Sequence, residues 1–228
     1  MQQSTLELTR TQLAAMIDHT LLNVEASRAE IEQLCRDAEA ENFASVCIHP
    51  YWLEEMVPRF PRVKFCTVIA FPLGMQTSEV KMHEAQKAVQ AGAVELDIVI
   101  NHALVAAKNW SAIREELQSF RHIFPEIGLK LIIETCRLNE QEIIQLSELT
   151  AQAGFDWIKT STGFAASGAN VKDVALMKAH SGTQMQVKAS GGIRNLASTE
   201  AMLEAGARRI GTSAGLTILK EFDARAKA

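Results

Sequence analysis

Two apolar, strand-like runs in this 228-residue chain carry lysine into small-residue turns. Phe155-Asp156-Trp157-Ile158-Lys159 opens into Thr160-Ser161-Thr162-Gly163, and Gln186-Val187-Lys188 opens into Ala189-Ser190-Gly191-Gly192. A lysine at the mouth of a strand is ordinarily a rim charge. Two of them beside such turns suit another task, holding one amine neutral and nucleophilic for Schiff-base chemistry. A free lysine, with a pKa of about 10.4, is neutral for well under ~0.1% of the time near neutral pH. Desolvation and a neighbouring ammonium bring such an amine to roughly 7 to 8 and raise its reactive fraction several hundredfold. Lys188 is the cation placed to do this for Lys159.

The elements that must position these lysines show as short β-branched runs alternating with helical patterns. The strands are expected at 17–20, 45–48, 63–71, 94–100, 129–133, 156–159, 184–188 and 208–211. Ser27-x-x-Glu30 is a capping box, and Ile31, Leu34, Cys35 and Ala38 form one apolar stripe behind it. Eight strands, each followed by a helix, predict an α/β fold: a single (β/α)8 barrel domain over 1–228, with a short N-terminal helix over 9–16 closing its bottom. Asn42, Gly92, Gly154 and Gly206 recur before every second strand, where a left-handed helix cap is needed. A doubly wound open sheet is the alternative, but no Gly-x-Gly-x-x-Gly follows the first strand.

Alternation along the strands then sorts the side chains. Leu96, Ile98 and Ile100 face the helices, so Glu95 and Asp97 point into the barrel; likewise Lys130, Glu134, Lys159 and Lys188 point in. Buried charge must pair, so Glu95 and Lys130, deeper in their strands, are expected to form a structural ion-pair layer. Lys159, Lys188 and Asp97 lie towards the C-terminal mouth, where such barrels keep their active sites. Asp97 is placed to accept and return protons as carbinolamine becomes imine and imine becomes enamine. Thr162-Gly163-Phe164, Gly191-Gly192-Ile193-Arg194 and Gly211-Thr212-Ser213 form a second constellation, fit to bring backbone N–H groups around a phosphate. Cys47 reads first as a small buried hydrophobe and second as a pocket residue.

With 47% hydrophobic and 22% charged residues and a formal net charge of −4, the composition is that of a globular domain with no electrostatic footprint for nucleic acid. No apolar run approaches the ~20 residues of a membrane span, and Met1-Gln2-Gln3-Ser4-Thr5 lacks the regions of a signal peptide, so a cytoplasmic location is expected. Four separated cysteines and six histidines show no metal-ligand spacing. The expected partners are small molecules, with a homodimer as the candidate assembly.

The two lysine segments, with Asp18-His19-Thr20-Leu21-Leu22, Val46-Cys47-Ile48-His49-Pro50, Phe71-Pro72-Leu73-Gly74 and Glu95-Leu96-Asp97, resemble the deoxyribose-phosphate aldolase family over nearly the whole chain. The resemblance implies a TIM barrel that needs no metal or cofactor and reversibly cleaves 2-deoxy-D-ribose 5-phosphate to acetaldehyde and D-glyceraldehyde 3-phosphate. It further implies that Lys159 forms the Schiff base, Lys188 is its cationic neighbour, Asp97 is the proton relay and Asp18 orients the relay or the sugar. Some relatives carry paired serines where this chain has Thr212-Ser213-Ala214, and some carry a tail tyrosine, whereas the only tyrosine here is Tyr51. Proton transfer is then expected to rest on water or internal groups. Other phosphosugar barrels and a catalytically silent binding barrel are the competing readings; the paired lysines with Asp97 weigh against both.

Overall fold

The structure, a computed structural model, describes residues 8–225; the two ends, including Met1 to Thr5 and the last residues to Ala228, lie outside the described residues. The strands are β1 (Ile17–Leu21), β2 (Ser45–Ile48), β3 (Phe65–Ile69), β4 (Glu95–Val99), β5 (Gly128–Ile132), β6 (Trp157–Lys159), β7 (Gln186–Ser190) and β8 (Ala207–Thr212). All pair in parallel in chain order, and β8 closes on β1. The helices are α1 (Arg10–Ala14), α2 (Arg28–Glu41), α3 (Leu53–Met56), α4 (Ser78–Gln90), α5 (His102–Ala106), α6 (Trp110–Ile123), α7 (Glu140–Gln152), α8 (Val171–Ala179), α9 (Leu196–Glu204) and α10 (Gly215–Arg225). This is a (β/α)8 TIM barrel.

Local chemistry explains most boundaries. Ser27 and Glu30 cap α2 reciprocally, as the spacing predicts, and Ile31, Leu34, Cys35 and Ala38 are its buried stripe. Asn42, Gly92, Gly154 and Gly206 all adopt positive φ, so the recurring cap positions are structural. Buried Leu96, Ile98, Ile100, Leu131, Ile158 and Val187 belong to the core cluster that also holds Leu117, Phe120, Leu146 and Val174 from the helices.

Three expectations need correction. β3 is shorter than 63–71, because Ala70 takes φ 57° and turns the chain out of the strand. β7 runs two residues later than 184–188: Gly182 at φ 62° still belongs to the preceding turn, and Ser190 continues the ladder opposite Gly211. Lys188 is therefore interior to its strand, whereas Lys159 is the last residue of β6. The first helix is a five-residue α1 that packs beside α10 and is tied by Arg10 to Glu41 at 2.7 Å and Asp223 at 3.0 Å. Beside it a cleft of about 360 Å³ stays open at the N-terminal ends of the strands, bordered by Ala15, Ala44, Lys64, Glu95 and Arg209.

Candidate active site

Inward-pointing charge from β1, β4, β5, β7 and β8 meets inside the barrel. Lys130 Nζ lies 2.6 Å from Glu95 and 2.9 Å from Asp97 Oδ1. Lys188 Nζ donates to Asp97 Oδ2 at 2.7 Å and sits 2.6 Å from Asp18 Oδ2, off the line of a hydrogen bond. Arg209 donates to the other oxygen of Asp18 and reaches Glu95 at 3.3 Å. Asp97, Lys130, Glu95, Arg209, Asp18 and Lys188 thus close a ring in which every cation bridges two carboxylates and every carboxylate bridges two cations. Lys159 stands outside it, donating only to Asp97 Oδ2, at 2.7 Å.

The ring is electrostatically self-consistent. Burial alone would raise the pKa of Asp97 and Asp18, but the surrounding cations outweigh it and hold both well below the carboxylate range, Lys130 and the other lysines acting on Asp97, Lys188 and Arg209 on Asp18. Burial opposes the charges of Lys130 and Lys188, yet Asp97 and Asp18 respectively, with their neighbours, keep both ammonium groups above the ordinary lysine value. Cys66, on β3, fills the space between: it donates to Asp97 Oδ1 at 3.2 Å and accepts from Lys130 at 3.3 Å. Burial pushes its thiol up, which keeps the proton that this donation needs.

Above the ring opens a cavity of about 350 Å³ at the C-terminal ends of the strands. Of the residues singled out from the sequence, Lys159, Thr162, Gly163, Gly191, Gly192, Arg194, Gly211 and Ser213 line it; Asp97, Lys188, Asp18 and Cys47 lie beneath. Thr162 is set by Glu134, whose carboxylate accepts from the Thr162 hydroxyl and, at 3.2 Å, from its backbone N–H. The Gly191 turn is pressed against Gly168, where a Cβ would fall 2.1 Å from Gly191 O, and Ala169 N–H donates to Ser190 O at 3.0 Å. Gly211, which lines the cavity, is also closely packed from behind. A Cβ there would meet Lys188 Cε at 3.0 Å, so its bareness makes room for the lysine shank.

Cys47 is not a lining residue. It is fully buried in a small cluster with Leu22, Cys66 and Val68, of which Leu22 lines the cavity. Cys47, Cys66 and Asp97 are close enough to share a metal ion, as are Asp18, Cys66 and Glu95, but the carboxylates and Cys66 are already engaged by ammonium and guanidinium groups. Lys130 does pair with Glu95, as expected of a structural layer, yet it also grips Asp97 and so joins the site.

The sequence reading missed Arg209 and the end of β1 with the turn after it, where Leu21, Leu22 and Asn23 wall the cavity. Arg209 was within reach of the same alternation: it and Gly211 share one face of β8. Its alignment with Lys188 depends on a bulge that inserts Arg208 between the register pairs Val187–Ala207 and Lys188–Arg209, and no local pattern announces that.

A closed barrel whose mouth presents one lysine over a buried carboxylate–lysine ring has the form of a lyase acting on carbonyl compounds. The sequence matches DeoC, the DeoC/LacD family aldolase, over residues 12–221, and the chain belongs to that family. It is 46% identical over 213 residues to the deoxyribose-phosphate aldolase of Shouchella clausii, covering 92% of this chain and 95% of that one. It is 44% identical over 216 residues to the deoxyribose-phosphate aldolase of Carboxydothermus hydrogenoformans, with 92% and 95% coverage. The solved structure of deoxyribose phosphate aldolase from Aeropyrum pernix, described as tetrameric, superposes with a TM-score of 0.88 at 31% identity, covering 95% and 93% of the two chains.

Proposed function

We propose that this chain is a deoxyribose-phosphate aldolase that cleaves 2-deoxy-D-ribose 5-phosphate reversibly to acetaldehyde and D-glyceraldehyde 3-phosphate through a Schiff base on Lys159. The observation that carries the reading is that Asp97 Oδ2 lies 2.7 Å from both Lys159 and Lys188, while only Lys159 reaches the cavity. The Lys159 amine attacks the aldehyde carbon of the open-chain sugar. Asp97 takes the proton released as the carbinolamine forms, and the Lys188 ammonium sharing that oxygen supplies one as hydroxide leaves. Asp97 returns its proton to Lys188; the iminium then withdraws electrons while the bond between the second and third carbons breaks and Asp97, through water, takes the proton of the hydroxyl on the third carbon, which frees the phosphorylated aldehyde and leaves an enamine. Protonation and hydrolysis of the enamine release acetaldehyde and restore the amine. Binding of the sugar phosphate is assigned to Gly163, Gly191, Gly192, Arg194 and Ser213, whose turns meet at the side of the cavity next to the start of α10.

The mechanism asks nothing of a metal, so prolonged chelation should leave the rate unchanged. A cytoplasmic location is part of the same proposal; among the described residues, no helix is long and apolar enough to cross a membrane. For assembly the expected homodimer is carried forward beside the tetramer of the A. pernix relative, and sedimentation equilibrium separates the two.

Borohydride reduction with acetaldehyde tests the reading. A two-carbon secondary amine should appear on Lys159, and Lys159→Leu should abolish trapping and turnover together. Lys188→Leu should retain trapping but only at higher pH. An adduct on Lys188 would reverse the assignment, and no adduct on either lysine would remove the aldolase reading.

A further inference from the structure

The closed ion ring assigns a task to its remote half, and it rests on Lys159 being the nucleophile. Asp18, Glu95 and Asp97 balance Lys130, Lys188 and Arg209, so the ring is neutral by itself. Lys159 shares Asp97 with two ring lysines, so an ammonium there is one positive charge without a carboxylate of its own. We propose that Glu95 and Arg209, at the end of the barrel away from the cavity, are positioning residues that set the charge balance against which Lys159 works.

Both belong to the barrel's other end. They border the lower cleft, their side chains retain 15% and 12% exposure, and neither lines the catalytic cavity. Their influence on Lys159 runs through two chains of contact. Glu95 holds Lys130, which holds Asp97; Arg209 holds Asp18, which holds Lys188 and through it the same Asp97 oxygen. Arg209 is further fixed by the Trp157 ring, 4.8 Å below its guanidinium carbon, and Ser45 donates to Asp18 at 2.7 Å.

The other titratable groups facing this region are few. From β2 and β3 come the thiols of Cys47 and Cys66, and from the end of β5 the Glu134 carboxylate, which is occupied by Thr162. His49 at the end of β2 donates Nε2–H to Leu22 O at 3.0 Å. In the lower cleft, Arg62 is paired with Glu39 at 2.8 Å, and Lys64 lies at its border. Among the described residues, Glu95 and Arg209 are thus the opposite charges furthest from substrate that still belong to the ring.

The test is the acidic limb of kcat/KM for deoxyribose 5-phosphate, measured with borohydride trapping of acetaldehyde on the same preparations. A unit charge in a partly buried cluster, at an effective dielectric of about 20, moves such a limb by on the order of one pH unit. Glu95→Gln removes a negative charge and should move the limb to lower pH. Arg209→Met removes a positive charge and should move it to higher pH. Arg209→Lys keeps the charge and should leave the limb in place. The double variant Glu95→Gln, Arg209→Met removes a matched pair, which folds more readily than either half-broken pair and should bring the limb back to that of the parent. Shifts of the same sign, no shift at all, or a double variant that fails to restore the limb would each overturn the inference, since a structural role lowers rate or stability without opposed shifts. Absence of the Lys159 adduct in the parent protein would instead overturn the nucleophile assignment beneath it.

Discussion

Two buried lysine clusters in this barrel have opposite designs. Outside the sheet, Lys81 on α4 is fully buried, donating to Glu116 on α6 at 2.9 Å and to Val99 O at 3.0 Å, while Ser78 donates to the second oxygen of Glu116 at 2.6 Å. One cation meets one carboxylate, the remaining polar atoms find a carbonyl and a hydroxyl, and none of the three residues lines the cavity at the barrel mouth. Inside the sheet, four cations meet three carboxylates, and the cation outside the closed ring is the one that borders a 350 Å³ space. A buried lysine is therefore no mark of chemistry in itself. What marks it is a charge without a carboxylate of its own beside a place where substrate fits, because an unmatched buried charge is costly to keep without a function that requires it.

The sharpest way to break this comparison is to delete one lysine from each cluster. Lys159→Leu should abolish turnover yet leave the thermal midpoint unchanged or raised, since the ring it leaves behind is neutral. Lys81→Met should do the reverse: Glu116 is left buried without its cation, at a cost of about 3 to 5 kcal/mol. For a chain of this size that lowers the midpoint by on the order of 10 °C, while kcat at 20 °C, corrected for folded protein, should stay within about twofold (a change of under ~0.5 kcal/mol in barrier). Differential scanning calorimetry and a coupled aldolase assay read both. A Lys159→Leu protein as destabilised as Lys81→Met would erase the distinction.

The cavity side is sharpened by Gly192, which adopts φ 78° and has open space where a side chain would stand. Gly192→Leu strains the turn and fills the end of the cavity to which phosphate binding is assigned by proposal. It should reduce kcat/KM for deoxyribose 5-phosphate by about 10- to 100-fold, the worth of a charge-assisted hydrogen bond or two, and that for plain deoxyribose far less. Equal losses on the two sugars would take phosphate binding away from this turn.

The smallest effect concerns acid. Asp18 and Asp97 have folded pKa values below their unfolded ones, so the unfolded chain binds the more protons as the pH falls. Their stabilisation is complete above the unfolded carboxylate value of about 3.9 and is lost as the pH falls through the depressed folded values. Urea denaturation in that window should therefore show stability rising with pH, and Asp18→Asn should flatten the rise. An unchanged slope in the variant would mean that the ring adds nothing to acid stability.

The comparison also shows how far the chain alone could be read. The inward set of Glu95, Asp97, Lys130, Lys159 and Lys188 followed from alternation, because side-chain direction along a strand is a local property. The cap positions at Asn42, Gly92, Gly154 and Gly206 followed for the same kind of reason, since a left-handed residue after a helix is chosen by its own backbone. Lys81 gave no such sign: a lysine in Val80-Lys81-Met82-His83 looks like a solvated helix charge until α6 brings Glu116 to it.

By itself, then, the amino-acid sequence determined the eight-strand alternation, the two inward lysines Lys159 and Lys188, the inward carboxylate of Asp97 and the small-residue turns, all of them carried by spacings of a few residues. Tertiary structure alone decided which charges meet. Arg209 joins Asp18 across 191 positions and Lys188 joins Asp97 across 91; both encounters depend on the barrel closing, and the first also on the bulge in β8. It likewise decided between the two readings of Cys47 in favour of the small buried hydrophobe and packed Gly211 against the Lys188 shank. Alternation says that a side chain points inward; only closure of the sheet says what waits for it there.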